Sequence, residues 1–244
     1  MKEYKFNDIY ELVSLIDGSV RFGESFWNYN EEVFINSSSK FSKFTLLHLY
    51  VITMAFNHHM RDFRKNGDCF DKEDIVKWMS LFETYGVLIV PCNISNQEEP
   101  YAWLEANSEK FEKLFSAMAE EAFHILFYNR NFLLEFNNLV AETVKTTKYP
   151  NELLTRKRRL RRTGVPEWLR TAVFHRDKGR CVYCNTDLTN LVNTISQKNF
   201  DHMVPLDMFG ANDPSNIQLA CERCNKSKSN KGSSTSFRYP AWWN

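Results

Sequence analysis

The sequence predicts a mainly α N-terminal domain followed by a small C-terminal domain held by paired cysteines. Three observations carry this. Apolar residues recur at helical spacing through most of the first 150 positions. A Tyr149-Pro150 step and a cationic run then break that pattern. Beyond them lie two Cys-x-x-Cys pairs, Cys181/Cys184 and Cys221/Cys224. A chain of 244 residues is long enough for one large or two modest domains.

Taken in order, Asn7 can cap a short helix through Leu15. Residues 44–56 are apolar nearly all round, the mark of a buried helix, which should run to about Lys65 and stop at Gly67. Asp71, with Asp74 three residues on, opens a helix containing Trp78, Leu81 and Phe82, and Gly86 ends it. Val87-Leu88-Ile89-Val90 is the one strand candidate in this half. Ser108 starts a long stripe through Phe111, Leu114, Phe115, Met118, Ala122, Ile125 and Leu126. After Asn129-Arg130-Asn131 it resumes at Leu133, Phe136, Val140 and Val144. This wide apolar face suits core packing; a homodimer or partner surface is the other use for it.

The residue before a proline disfavours helix, so the boundary falls at Pro150. The expected organisation is a helical domain over 1–150, a basic linker or helix over 151–164, and the C-terminal domain over 165–244. Pro166 fits a helix first turn, and Trp168, Leu169, Ala172 and Val173 continue that helix until Gly179. Residues 226–236 read as loop, and Trp242-Trp243 as packing residues.

The net charge of +1 hides an asymmetry. Residues 1–150 hold 15 Lys and Arg against 22 Asp and Glu; residues 151–244 hold 16 against 8. Only the second half is suited to a polyanion. The 20 phenylalanines are spread along the chain, which favours core packing over a stacking platform. The start lacks the apolar core of a secretory signal. The longest apolar run is too short to span a bilayer. These features favour a cytoplasmic protein without membrane contact, and in that compartment paired cysteines favour metal over disulfide.

Four thiolates in two such pairs complete a tetrahedral shell with no open position, so the expected ion is a structural zinc. Thirty-six residues separate the pairs, more than the ~15–20 of a common zinc ribbon, so something must fold between them. Cys69 and Cys92 lack partner spacing and read as buried thiols. His58-His59, late in a buried helix, lacks spaced acidic ligands for a second metal site.

Between and beside the knuckles stand Asp201-His202, Asn216 and Asn225. A hard cation takes oxygen ligands, which Asp201 and the Asn225 amide can supply. A water nucleophile needs a base that is neutral near pH 7, which suits His202. Together these residues suit metal-assisted phosphodiester hydrolysis.

From Val165 to Lys231 the chain resembles the cysteine-bearing, McrA-like HNH endonucleases. The resemblance rests on Gly179-Arg180-Cys181, Asp201-His202, Asn216 and Cys221 through Asn225 with Lys226 and Lys228. It implies a ββα-metal unit, hence an α+β C-terminal domain, with strands near 199–204 and 216–221 and a helix from about 222. It implies His202 as general base and Asp201 and Asn225 as ligands of a catalytic Mg²⁺ or Mn²⁺. It implies that Asn216 orients the loop through backbone hydrogen bonds. Asn225 stands where a final histidine often stands. If Asp201 and His202 serve one site, the strand must end or bulge there, since neighbours point to opposite faces.

Phosphate contacts are expected from Arg158, Arg159 and Arg162 in the cationic run, from Arg180, and from Lys226 and Lys228. No element that reads base edges is evident, and the residues do not separate DNA from RNA. The reading is a metal-dependent DNA endonuclease, which by family analogy fits restriction or antiviral defence in bacteria or phage. The alternative is a non-catalytic adaptor whose zinc module binds nucleic acid and whose helical domain binds a protein.

Overall fold

A computed structural model describes residues 3–6, 9–26, 29–65, 72–92, 99–189, 199–229 and 232–239. Among these are nine α-helices and one two-stranded sheet. The chain forms two compact units. The first comprises Met1–Ile16 and His48–Ile125, the second Asp17–Leu47 and Leu126–Asn244. The sequence reading draws its boundary near 150; in the structure residues 17–47 and 126–150 belong to the same unit as the C-terminal domain.

Helix α1 (Ile9–Arg21) buries Ile9, Leu12, Ile16 and Val20 on one stripe. It outruns the expected end at Leu15, and an Asp17–Arg21 ion pair at 2.9 Å spans its last turn. Asn7, its expected cap, lies outside the described residues, as do Gly67, Cys69, Asp71 and Trp242-Trp243. Helix α2 (Glu31–Ser39) was not expected, because Phe34 is its one buried large apolar residue. Asn30 caps it by accepting from the Val33 N–H at 3.1 Å. Helices α3 (Leu46–Lys65), α4 (Lys72–Thr84), α6 (Ser108–Leu126) and α7 (Arg130–Thr146) follow the apolar spacing. The short α5 (Glu99–Ala106) does not announce itself. Asn129 caps α7 through the Phe132 N–H at 3.2 Å.

In the first unit, Trp78, Phe82, Phe111 and Phe115 are buried and meet mostly edge to face, Phe82 and Phe111 at 5.0 Å between ring centres. His59 stacks on Phe115 at 5.4 Å, which gives it a packing role. The stripe on α6 and α7 is spent on core packing: Phe111, Leu114, Phe115, Leu133, Phe136 and Val140 are all fully buried or nearly so. Residues 87–90 are not a strand. Leu88 and Val90 are 91% and 72% exposed. Its described hydrogen bonds run from the Val87 N–H to the Phe82 carbonyl at 2.9 Å and from the Trp103 indole to the Val90 carbonyl at 2.7 Å, so among the described residues it lacks the paired neighbour that makes a strand.

In the second unit the cationic run is not helical. Leu154 and Leu160 are bridged antiparallel, and the chain turns tightly between them through Arg158 at φ 58°. Buried Leu154 and Leu160 favour the turn, since a helix would set them roughly 120° apart and could not pair them. Helix α8 (Glu167–Arg176) follows Pro166 and ends before Gly179 at φ 64°. Strands β1 (Phe200–His202) and β2 (Ile217–Leu219) pair antiparallel with Asp201 opposite Gln218 and His202 opposite Ile217. Helix α9 (Glu222–Lys228) follows.

A hairpin of three residue pairs is not stable alone. Buried polar contacts hold this one on both sides. Asp177, just after α8, accepts from the Leu219 N–H at 2.9 Å and from the Arg176 guanidinium at 3.0 and 2.9 Å. It also pairs with Arg130 of α7 at 3.4 Å. Arg176 in turn donates to the Ile217 carbonyl at 2.7 Å. On the other side, Asn212 donates to the carbonyls of Ser38, Ser39 and Arg161. Asp213, fully buried, accepts from the Leu46 N–H at 2.7 Å and from Ser215 through its N–H at 2.9 Å and its hydroxyl at 2.5 Å. Gly210 crosses so close to Val204 that a Cβ would meet its carbonyl oxygen at 2.0 Å.

Burial pushes the Asp213 carboxyl up to about 6. A raised acid binds its proton more tightly folded than unfolded. Its contribution is therefore best below the unfolded value near ~4 and is lost as pH rises through about 6. Asp213→Asn keeps one acceptor but sets an NH₂ against the Leu46 N–H. We predict that the variant is less stable at pH 5 by about 1–3 kcal/mol. In chemical denaturation the gap to wild type should narrow by pH 7.5, because only wild type then buries a charge. A gap that widens with pH would contradict this.

Candidate functional site

The two Cys-x-x-Cys knuckles close on one point. The four sulfurs of Cys181, Cys184, Cys221 and Cys224 lie within 4.8 Å of one another. Among the described residues this is the one convergent group of three or more metal-binding side chains. The Cys184 and Cys221 sulfurs are 3.7 Å apart, too far for a disulfide and close to the edge of a tetrahedron with metal–sulfur bonds of ~2.3 Å. The donor set therefore fits zinc. Cys221 caps α9, its sulfur accepting from the Cys224 N–H at 3.4 Å. In the first knuckle Asn185 takes a left-handed conformation at φ 60°, and its N–H bonds the Cys181 carbonyl at 2.9 Å. The Val182 N–H bonds the Leu219 carbonyl at 3.0 Å, which fastens this knuckle to β2. A 3.0 Å contact with the Thr186 hydroxyl lowers the Cys184 thiol to about 6, so this sulfur is readily a thiolate.

Asp201 and His202 are the last two residues of β1 and alternate across it. Asp201 is buried. Its Oδ2 accepts from Gln218 Nε2 at 2.9 Å and lies 3.0 Å from Lys228 Nζ; its Oδ1 is 3.3 Å from the same ammonium. Lys228 also donates to the His202 carbonyl oxygen. Oxygens of two adjacent residues thus converge on one positive charge at this end of β1. Burial raises the Asp201 carboxyl and lowers the Lys228 ammonium, each against the other's attraction.

His202 is 2% exposed, and among the described residues its ring nitrogens make no well-formed hydrogen bond, only a loose polar contact with Asn212. The Phe41 ring, in the loop after α2, is centred 6.3 Å from it. Burial, with the Arg162 charge second, holds the imidazole down at about 3, and a polar contact with Asn212 opposes them. The ring is therefore neutral at pH 7. Asn216 is fully buried and carries the chain away from His202. Its Oδ1 accepts from the Val204 N–H at 2.8 Å, its Nδ2 donates to the Val204 and Ala211 carbonyls at 3.0 Å, and its own carbonyl accepts from the Met203 N–H at 2.7 Å. Asn225 is half-buried on α9, three residues before Lys228 and so on the same face.

The expected phosphate-binding residues do not stand alike. Arg158 and Arg162 are exposed, Arg158 at the turn of the cationic hairpin. Arg159 lies against the loop after β1. It donates to the Asp207 carbonyl at 2.8 Å, and its guanidinium stacks 3.5 Å from the Phe209 ring centre. Arg180 braces the first knuckle by pairing with Asp187 at 3.4 Å. Lys226 is exposed and paired with Glu222 one turn earlier at 2.7 Å. Lys228 is turned inward on Asp201, its side chain 6% exposed, and Arg176, which the sequence places in the basic stretch before the knuckle, is buried on Asp177.

Sequence reasoning missed Gln218 and Tyr183. Gln218 bridges Asp201, the Tyr183 hydroxyl at 2.7 Å and the Ser234 carbonyl at 3.0 Å. Its place opposite Asp201 could be found once the register was known. Of residues 226–236, expected as loop, 226–228 lie on α9 instead, whereas 232–236 and the residues on to 239 do have irregular backbone. The 232–239 segment is nevertheless tied down, with the Ser234 N–H on the Met203 carbonyl at 3.0 Å and the Arg130 guanidinium on the Ser236 and Arg238 carbonyls.

Residues 181–231 match the HNH endonuclease family, so about a fifth of the chain carries an HNH domain. The match begins at the first knuckle cysteine and leaves out α8 and everything before it. Comparison with curated proteins and with solved structures gives no match.

Metal analysis of the purified chain should find about one zinc. Cys221→Ser removes one thiolate and the cap sulfur of α9 together, so it should lose zinc and lower the thermal transition. Full zinc retention by this variant would break the assignment.

Proposed function

We propose that the chain is a metal-dependent endonuclease that hydrolyses DNA phosphodiester bonds. The HNH match supports a nuclease-type function, and the side chains around β1 supply a chemistry for it. The observation that carries the reading is His202. A buried ring whose nitrogens make no well-formed hydrogen bond, only a loose polar contact with Asn212, gives up about 1–3 kcal/mol per missing bond. A purely structural position has no use for that cost. A base that must receive a proton has one.

In this reading His202 accepts the proton of the attacking water. Burial keeps the ring neutral at pH 7, and its pKa of about 3 makes it a weak base as it stands. The negative charge of a bound phosphodiester, with the water it brings, favours the imidazolium and lifts that value toward the working range. Asp201 and Asn225 would hold a Mg²⁺ or Mn²⁺ ion. That ion supplies charge neutralisation at the scissile phosphate and leaving oxygen. Asn216 fixes the backbone that leaves His202, so the base keeps its place. Exposed Arg158 and Arg162 offer the phosphate backbone a cationic edge, and Lys226 adds to it.

The covered His202 and the Lys228–Asp201 pair are the observations that favour the other reading, a zinc module that binds nucleic acid without cutting it. A plasmid-nicking assay with Mg²⁺ or Mn²⁺ separates the two. Wild type should nick, and His202→Ala with full zinc content should lose about 10²–10⁴-fold in rate. Equal rates in both proteins, or no nicking by either, would leave the binding module as the better reading.

A further inference from the structure

We propose that Lys228 is an internal counter-cation that occupies the divalent ion's place on Asp201 and must be expelled when the ion binds. This rests on the reading of Asp201 as a metal ligand. The Lys228 ammonium sits 3.0 Å from Asp201 Oδ2 and 3.3 Å from Oδ1, and it hydrogen-bonds the His202 carbonyl oxygen. Gln218 already takes a further position on Oδ2 at 2.9 Å. An incoming ion therefore needs the lone pairs that Lys228 now holds.

Both groups are buried, Lys228 to 6% and Asp201 to 9% side-chain exposure. Two cations on one buried carboxylate repel strongly, because little solvent screens them. Lysine and ion therefore exclude one another. With neither cation bound, the buried carboxylate keeps the Gln218 amide but no balancing charge, so the lysine-free state is a minor one. Lys228 has somewhere to go. It lines a cleft of about 450 Å³ with Tyr183, Cys224, Ser227 and Ser234. Moved into that cleft, its charge comes out on the same helix as exposed Lys226. Ion binding would then add a cation to the face that meets phosphate, coupling the two ligands in the favourable sense.

The consequence is an affinity penalty. The ion binds only the fraction of molecules in which Lys228 has left Asp201, and its apparent dissociation constant rises by the inverse of that fraction. The test is Mn²⁺ titration of the zinc-loaded full chain, with free Mn²⁺ read by electron paramagnetic resonance. Lys228→Met removes the competitor. Lys228→Gln removes the charge while keeping a donor for Asp201, which protects folding. Zinc content and the thermal transition identify the folded proteins. Both variants should bind one Mn²⁺ about 10–100-fold more tightly than wild type, for a lysine-free fraction of about 0.01–0.1. Adding Asp201→Asn should abolish that binding. Unchanged or weaker Mn²⁺ affinity in both lysine variants would overturn the counter-cation role, and Asp201-dependent binding in wild type would still leave the nuclease reading standing. Absence of Asp201-dependent Mn²⁺ binding in every protein would overturn both.

Discussion

The β1–β2 hairpin carries Asp201 and His202 but is only three residue pairs long, and the geometry of the site depends on what grips it. On one side Asp177 gathers the Leu219 N–H, Arg176 and Arg130 in the protein interior. A carboxylate paired with two guanidiniums and a backbone N–H has every lone pair in use, the condition under which a buried ion pair holds. Removing one partner would cost about 3–5 kcal/mol and release β2 with it. On the other side Asn212, Asp213 and Asn216 anchor the long loop between the strands. Arg130 extends the grip by holding the 236–239 segment, with the Tyr239 ring 4.1 Å from its guanidinium.

This arrangement explains why residues outside the HNH match belong to the same compact unit as the site. The helix α2 carbonyls of Ser38 and Ser39, the first N–H of α3 and the Asn137 amide on α7 all meet the loop between β1 and β2. The zinc knuckles brace a different place, the outer edge of β2 and the start of α9. Thiolates and buried carboxylates thus divide the work of holding one small hairpin.

Much of this was legible in the sequence, and the reason differs by element. Helices α3, α6 and α7 show because their apolar residues repeat at helical spacing and do fill cores. The two knuckles show because two Cys-x-x-Cys pairs have few other uses. The ββα order and the loop-holding bonds of Asn216 follow the resemblance closely. Helix α2 was invisible because serines occupy its last turn, where they bond to neighbouring segments. Residues 87–90 misled because a short apolar run says nothing about whether a partner strand exists. The cationic run misled in another way: six basic residues suggest a helix or linker, but Leu154 and Leu160 pair and turn the chain between them. Asp177, Arg176, Asp213 and Lys228 look like surface charges in sequence. Only their long-range partners show that they are internal.

In the proposed reading one small domain holds two metals of different kinds, a closed structural zinc and an exchangeable ion on Asp201. Anomalous diffraction from crystals of the zinc-loaded protein soaked in Mn²⁺ tests this directly. A zinc-edge peak should lie inside the four cysteine sulfurs. A separate manganese peak should lie beside the Asp201 carboxylate, with Lys228 turned away from it. Manganese among the thiolates, or no peak at Asp201 while Lys228 stays in place, would contradict it.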